Sequence, residues 1–137
     1  MGSRFHHISL NVRSMEAAQR FYGMLGFDPV YDWRAEDGSL AIAHMRLDHA
    51  LLELFCYASP NEPTAPPTSL DEALRIVGLL HFGVLVDDLD AAVMKMAPYL
   101  APETQQIVHG RTGLDYVFAV DPDGNYVELV RDPRDLI

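Results

Sequence analysis

The chain has 137 residues, 49% of them apolar, with ten Lys and Arg against twenty Asp and Glu, a formal net charge of −10 and a pI of about 4.8. That suits one globular domain with a real core, and the acidic balance without a basic stripe argues against nucleic acid or an anionic membrane as partner. The single cysteine, Cys56, permits no intrachain disulfide, no charged-then-apolar leader opens the sequence, and no apolar run approaches the ~20 residues of a membrane span, so a soluble cytoplasmic protein is expected.

Phe5 to Val12 alternates apolar and polar residues, as a half-buried strand does. Ser14 is a good N-cap for a helix from about Met15 to Leu25, and Gly26 stands where a helix end needs a left-handed residue. Phe27 to Trp33 reads as a strand whose Pro29 puts it at a sheet edge or makes it begin late. Glu36-Asp37-Gly38 is a turn. Leu40 to Leu47 and Ala50 to Tyr57 are two strands joined by a tight turn at Asp48-His49. Pro60, Pro63, Pro66 and Pro67 mark a linker. Ser69 and Glu72 have capping-box spacing and predict a short helix through about Val77, ended by Gly78.

The same order of elements then returns. A strand begins at Leu79 or Leu80 and includes His81 to Val86, and Asp87 or Asp88 caps a helix to about Leu100 that Pro98 should cut short. Gln105 to His109 and Leu114 to Val120 read as strands around a turn at Gly110 to Gly113. Asp121-Pro122-Asp123-Gly124 is a tight turn, and Asn125 to Arg131 a last strand. The expected fold is α+β, a single domain over residues 1–137. It would comprise two paired β-α-β-β-β modules at about 4–57 and 79–131, a linker with a short helix at 58–78, and a surface tail at 132–137, with a curved mixed sheet around a concave site.

The repeat extends to individual residues. His7 to Ala18 matches His81 to Ala92 at an offset of 74, and Leu51-Leu52-Glu53-Leu54 matches Tyr126-Val127-Glu128-Leu129 at 75. Each half thus contributes one early His and one late Glu. Glu53 and Glu128 are each flanked by apolar residues that point to the opposite strand face. If those pack beneath helices, both carboxylates face the concave side, where a carboxylate is costly unless paired or bound to a metal. His7, Glu53, His81 and Glu128 are therefore the candidate ligands of one divalent first-row metal. His6 has the opposite parity and is expected to be exposed. The turn at Asp48-His49 sets His44 opposite Glu53, on the same face, so His44 could line a substrate pocket. Cys56 reads as an inert buried thiol.

Four stretches carry a family resemblance: His7 to Val12, Phe21-Tyr22-Gly23-Met24-Leu25-Gly26-Phe27, His81 to Val86 with its helix, and Asp121-Pro122-Asp123-Gly124-Asn125-Tyr126-Val127-Glu128-Leu129. The chain resembles the vicinal oxygen chelate superfamily of glyoxalases, bleomycin-resistance proteins and extradiol dioxygenases, above all its glyoxalase I-like and methylmalonyl-CoA epimerase-like members. The resemblance implies paired modules around a metal on the open face, often with modules paired between chains, and so a homodimer. Glyoxalase I uses His, Glu, His and Glu at the four positions, and the epimerase has Gln at the position of Glu53. Extradiol dioxygenases use only those of His7, His81 and Glu128. The activity implied by the resemblance is that of a lyase, isomerase or epimerase. It would act on a small vicinal-oxygen substrate through a metal-stabilised enediolate, with Glu128 or Glu53 as base and Zn, Ni, Co, Mn or Fe as the metal. The alternative is an Fe(II)-dependent dioxygenase, and the third reading a non-catalytic binding or resistance protein. Bacterial lactoylglutathione lyases place an Arg four residues after the first His and an Asn four after the first Glu. Asn11 and Tyr57 stand there, which argues against glutathione as a cosubstrate.

Overall fold

A computed structural model describes residues 2–137 and divides the chain into two compact units, one ending at Pro63 and one beginning at Thr64. The fold is α+β, with one four-stranded mixed sheet in each unit. In the first, β1 (His7–Asn11), α1 (Met15–Met24), β2 (Asp28–Arg34), β3 (Leu40–Leu47) and β4 (Ala50–Tyr57) give the strand order β1-β4-β3-β2, with β1 parallel to β4 and the other pairs antiparallel. In the second, α2 (Leu70–Ala73), β5 (His81–Leu85), α3 (Leu89–Lys95), β6 (Val108–His109), β7 (Asp115–Val120) and β8 (Tyr126–Arg131) give β5-β8-β7-β6, with β5 parallel to β8. No helix among the described residues is long and apolar enough to cross a membrane.

Both long helices begin on the expected caps. Ser14 accepts the Ala17 N–H at 3.2 Å, and Asp88, 74 residues on, accepts the Ala91 N–H at 3.0 Å. Gly26 takes φ +96° just past α1, where a Cβ would be strained. Each sheet seals one face. In the first unit, Ala18, Phe21 and Tyr22 of α1 belong to a core with Ala43, Met45, Leu52 and Leu54. In the second, Leu89, Met96, Val84, Val117, Ala119, Val127 and Leu129 are buried. Pro29 lies on the edge strand β2, at a register shift between Pro29 and Tyr31.

Two elements are shorter than the sequence predicts. The helix expected to run through Val77 is one turn, Leu70–Ala73. Leu70 and Ala73 are its buried side chains, whereas Leu74, Ile76 and Val77 are exposed, so further turns have no apolar face to bury. Ser69 caps this turn through the Glu72 N–H at 3.1 Å, but the Glu72 carboxylate reaches past Ser69 to the Thr68 N–H and hydroxyl. The strand expected over Gln105 to His109 survives as Val108–His109. Farther along β7 its edge is already satisfied: the Phe118 carbonyl accepts from the Ala101 N–H and the Thr104 hydroxyl, and the Thr104 hydroxyl accepts the Phe118 N–H. Pro98 does cut the preceding helix short, leaving a 3-10 turn over Ala97–Tyr99.

The turn that carries the chain from β7 into β8 is held by one carboxylate. Asp121, 5% exposed, accepts through Oδ1 from the Asp123 and Asn125 N–H groups at 2.9 and 2.8 Å, and through Oδ2 from the Asn125 side-chain amide at 2.9 Å. Asp121→Ala leaves these donors without that acceptor. It should lower stability by about 1–3 kcal/mol, read as a lower urea midpoint with an unchanged slope.

Candidate functional site

Alternation along the strands sorts every candidate residue. In the first unit Leu52 and Leu54, both 0% exposed, lie in the core. Glu53 between them therefore projects from the helix-free face. Register aligns Ser9, Glu53, His44 and Tyr31 in one row across β1, β4, β3 and β2, and residues in such a row share a face. His44 Nε2 lies 2.8 Å from Glu53 Oε2, and His7 Nε2 lies 3.8 Å from Glu53 Oε1. The hydrogen bond from His44 holds the Glu53 carboxyl below its ordinary value, and His7 and the Ser9 hydroxyl add to this against the opposing effect of burial. An ionised carboxylate only accepts, so His44 carries its proton on Nε2.

His7 has a second neighbour. Its Nδ1 lies 3.0 Å from Nδ1 of the exposed His6, which fixes the ring while Nε2 faces Glu53. When His7 is the donor in that contact, its Nε2 lone pair is free for a ligand.

The second unit repeats the layout with different neighbours. His81 Nε2 lies 3.3 Å from Glu128 Oε2. Gly83 and Phe118 flank Glu128 in register, where Ser9 and His44 flank Glu53. Neither Gly83 nor Phe118 has a side-chain hydrogen-bonding group. The Phe118 ring stands edge-on to His81 at 5.1 Å. Burial pushes the Glu128 carboxyl above the usual carboxylate range, with His81 pulling the other way.

Each sequence-predicted ligand therefore lies on the face of its own sheet opposite the buried Leu and Val positions, and each His stands beside the Glu of its own unit; in the second unit the one-turn α2 sets Leu70 against Phe118 on that face. Among the described residues, no three His, Cys, Asp or Glu side chains converge as a metal cluster. Each unit presents one nitrogen and one oxygen donor, types that suit a borderline first-row divalent ion. His44 is on the predicted face, but as a direct partner of Glu53. Cys56 is half-buried and points its thiol to the Arg13 carbonyl at 3.5 Å. Sequence reasoning passed over Ser9 and Phe118. The signal for both was register: each lies beside a candidate Glu once the strands are paired.

Comparison with known proteins gives a consistent outcome. The family model for the Glyoxalase/Bleomycin resistance protein/Dioxygenase superfamily matches residues 4–129. No curated protein matches the sequence with significance. Among solved structures, a glyoxalase family protein from Enterococcus faecalis is 24% identical, with a TM-score of 0.67 over 93% of this chain and 97% of that one. The lactoylglutathione lyase of Agrobacterium tumefaciens is 22% identical, with a TM-score of 0.60 over 94% and 93%. The trypanothione-dependent glyoxalase I of Leishmania major is 20% identical, with a TM-score of 0.62 over 96% and 88%.

The two carboxylates differ by their flanks, and this can be tested on metal-free protein. His44→Phe gives Glu53 the apolar neighbour that Glu128 has. The Glu53 pKa should rise, observable as a shifted carboxyl titration by 13C NMR. A depressed folded-state pKa contributes stability above the unfolded value, near 4.5, and that stability is lost as pH falls through the folded pKa. The variant should therefore lose that share of stability at neutral pH. Its stability should also fall less steeply with acid than that of the parent protein.

Proposed function

The chain belongs to the glyoxalase/bleomycin resistance protein/dioxygenase superfamily, and from that we propose that it is a divalent-metal-dependent lyase, isomerase or epimerase of the glyoxalase type. The duplicated His–Glu pair carries this reading: His7 with Glu53 at 3.8 Å and His81 with Glu128 at 3.3 Å, each on the face of its sheet opposite the buried Leu and Val positions. Two imidazoles and two carboxylates make a complete ligand set for Zn, Ni, Co, Mn or Fe with positions left for a substrate. The two pairs would combine within one chain or across a homodimer.

When bound, the ion supplies Lewis-acid polarisation of a carbonyl and its neighbouring oxygen. The chain's own residues divide the remaining work. Glu53, hydrogen-bonded by His44, is the fixed ligand. Glu128, flanked in register by Gly83 and Phe118, has only His81, itself a ligand candidate, as a polar partner and is the candidate to take the proton α to the carbonyl. Glu53 is the second candidate. A proton returned to the neighbouring carbon gives isomerisation, one returned to the opposite face of the same carbon gives epimerisation, and a lyase step would instead break the bond to a group β to the carbonyl, which leaves with the bonding electron pair. The substrate is a small molecule with two adjacent oxygens.

One observation favours a second reading. Glu53 Oε2 is already engaged by His44. If His44 draws Glu53 away so that Oε1 also stays off the metal, His7, His81 and Glu128 remain as the two-His, one-carboxylate set of an Fe(II)-dependent dioxygenase.

Elemental analysis of protein purified without chelators or a metal column should find one divalent ion per four-ligand set. His7→Ala or His81→Ala should abolish that occupancy. Glu128→Gln should keep the metal and slow α-proton exchange by about 10²-fold or more. Glu53→Gln should also damage a four-ligand enzyme, whereas a dioxygenase should tolerate it and consume O₂. Protein without any metal would leave the simple binder.

A further inference from the structure

The face that bears Glu53 also bears a set of rings. Tyr31 lies in the row of His44 and Glu53, and the next row holds Trp33, Ile42 and Phe55. Tyr57, two residues past Phe55, stacks on it with ring centroids 6.4 Å apart and planes within 17°. Tyr31 lies 5.8 Å from the His44 ring, tilted by 32°. Tyr31 is 60% exposed, Trp33 46% and Tyr57 45%.

The second unit covers its own rings. There Tyr116, Phe118 and Tyr126 share the face of Glu128, and Leu70 of α2 packs onto them, leaving Phe118 3% exposed. The α2 turn is fastened by the Leu70 N–H donating to the Glu103 carboxylate at 3.0 Å. In the first unit Tyr31, Trp33 and Tyr57 stay open to solvent. Exposed aromatic surface grouped around a polar pair is the composition of a ligand site. Among the described residues, the one Arg or Lys that register puts on this face is Arg46, opposite Leu51, beyond the Glu53 row and away from the rings. Arg13, paired with Glu62, and Arg34 line a cleft together with Tyr57, so what favours a planar ring on this face is its set of stacking partners rather than a lack of charge.

We propose that the open face of the first sheet receives a planar aromatic group of the substrate, stacked among Tyr31, Trp33, Phe55 and Tyr57, with the substrate's oxygens at the His44–Glu53 end. This rests on reading the Glu53 face as the substrate face, and it names the substrate class: an aromatic vicinal-oxygen compound rather than an aliphatic or peptidic one. Trp33 and Tyr57 set the specificity and take no part in the proton transfer.

Trp33 is the only tryptophan, so its emission reports on this face directly. The full chain is titrated with mandelate and with lactate, which share charge and adjacent oxygens and differ in phenyl against methyl. The titrations are run on chelator-treated protein and again with Zn²⁺. Mandelate should give a saturable change in Trp33 emission, with a Kd about 10-fold or more below that of lactate. By calorimetry, Trp33→Leu and Tyr57→Leu, both exposed and checked for folding by circular dichroism, should each weaken mandelate about 3–10-fold and leave lactate unchanged. Equal affinities in both metal states, or no saturation by either compound, overturns the proposal. So does a concentration-dependent change in Trp33 emission without probe, accompanied by dimerisation in light scattering, because a second copy would then cover the face. Metal analysis separates the two readings. An aromatic preference in a protein that binds no metal sinks the metal enzyme alone, and bound metal without the preference sinks the aromatic substrate alone.

Discussion

Strand alternation is the constraint on which the site depends. A strand buries every second side chain when one of its faces is sealed, and a slip of one residue would invert the pattern. Leu52 and Leu54 on β4, and Val127 and Leu129 on β8, are fully buried. Moving Glu53 or Glu128 to the sealed face would place a carboxylate in the core and expose two apolar residues, so register is strongly fixed. The parallel pairing of β1 with β4 and of β5 with β8 then brings each early His beside the late Glu of its unit. The chemistry-bearing pairs are a by-product of how each core is buried.

The two units share this frame but not its furnishing. In register, Glu53 lies between Ser9 and His44, and Glu128 between Gly83 and Phe118. His44 and Phe118 occupy the same place in the repeat, at the same offset of 74 that relates His7 to His81. The His44 hydrogen bond is the largest cause holding the Glu53 carboxyl below its ordinary value, and burial is the largest pushing the Glu128 carboxyl above it. Leu70 adds to the difference by closing the ring cluster of the second unit, while that of the first stays open. Duplication has kept the donors and varied what surrounds them.

The legible part of the sequence was what depends on near neighbours. Caps at Ser14 and Asp88, the turns at Asp48-His49 and Asp121 to Gly124, and the parity of Glu53 and Glu128 rest on spacing of a few residues. The pairing of His44 with Glu53 was also readable, because a two-residue turn fixes hairpin register. The shortened elements were not. Gln105 to His109 has strand-like residues, but the β7 edge they would occupy is taken by Ala101 and Thr104. The stretch after Ala73 has helical composition and no core to face. Ser9 was missed because it sits beside Glu53 through parallel pairing, which no local pattern encodes, and Phe118 because the longer turn between Val120 and Tyr126 fixes the β7–β8 register less tightly than a two-residue turn does.

An asymmetric pair of carboxylates has a chemical consequence that a symmetric pair lacks. Two equivalent carboxylates held near one ligand compete for the same proton and the same counter-charge. When hydrogen-bond donors flank one and apolar groups flank the other, their proton affinities separate, and one stays ionised where the other can cycle. Ser9 and His44 give Glu53 the first environment, and Gly83 and Phe118 give Glu128 the second. The glycine matters in its own right. A Cβ at position 83 would stand 3.8 Å from Glu128 Oε2, in ordinary contact, so a larger side chain there would fill the space into which that carboxylate can move. If the pairs act on one substrate, the carboxylate held by a second histidine is the one suited to hold and the one with apolar flanks the one suited to carry a proton. That division comes from the strand neighbours of each carboxylate together with the burial that surrounds Glu128.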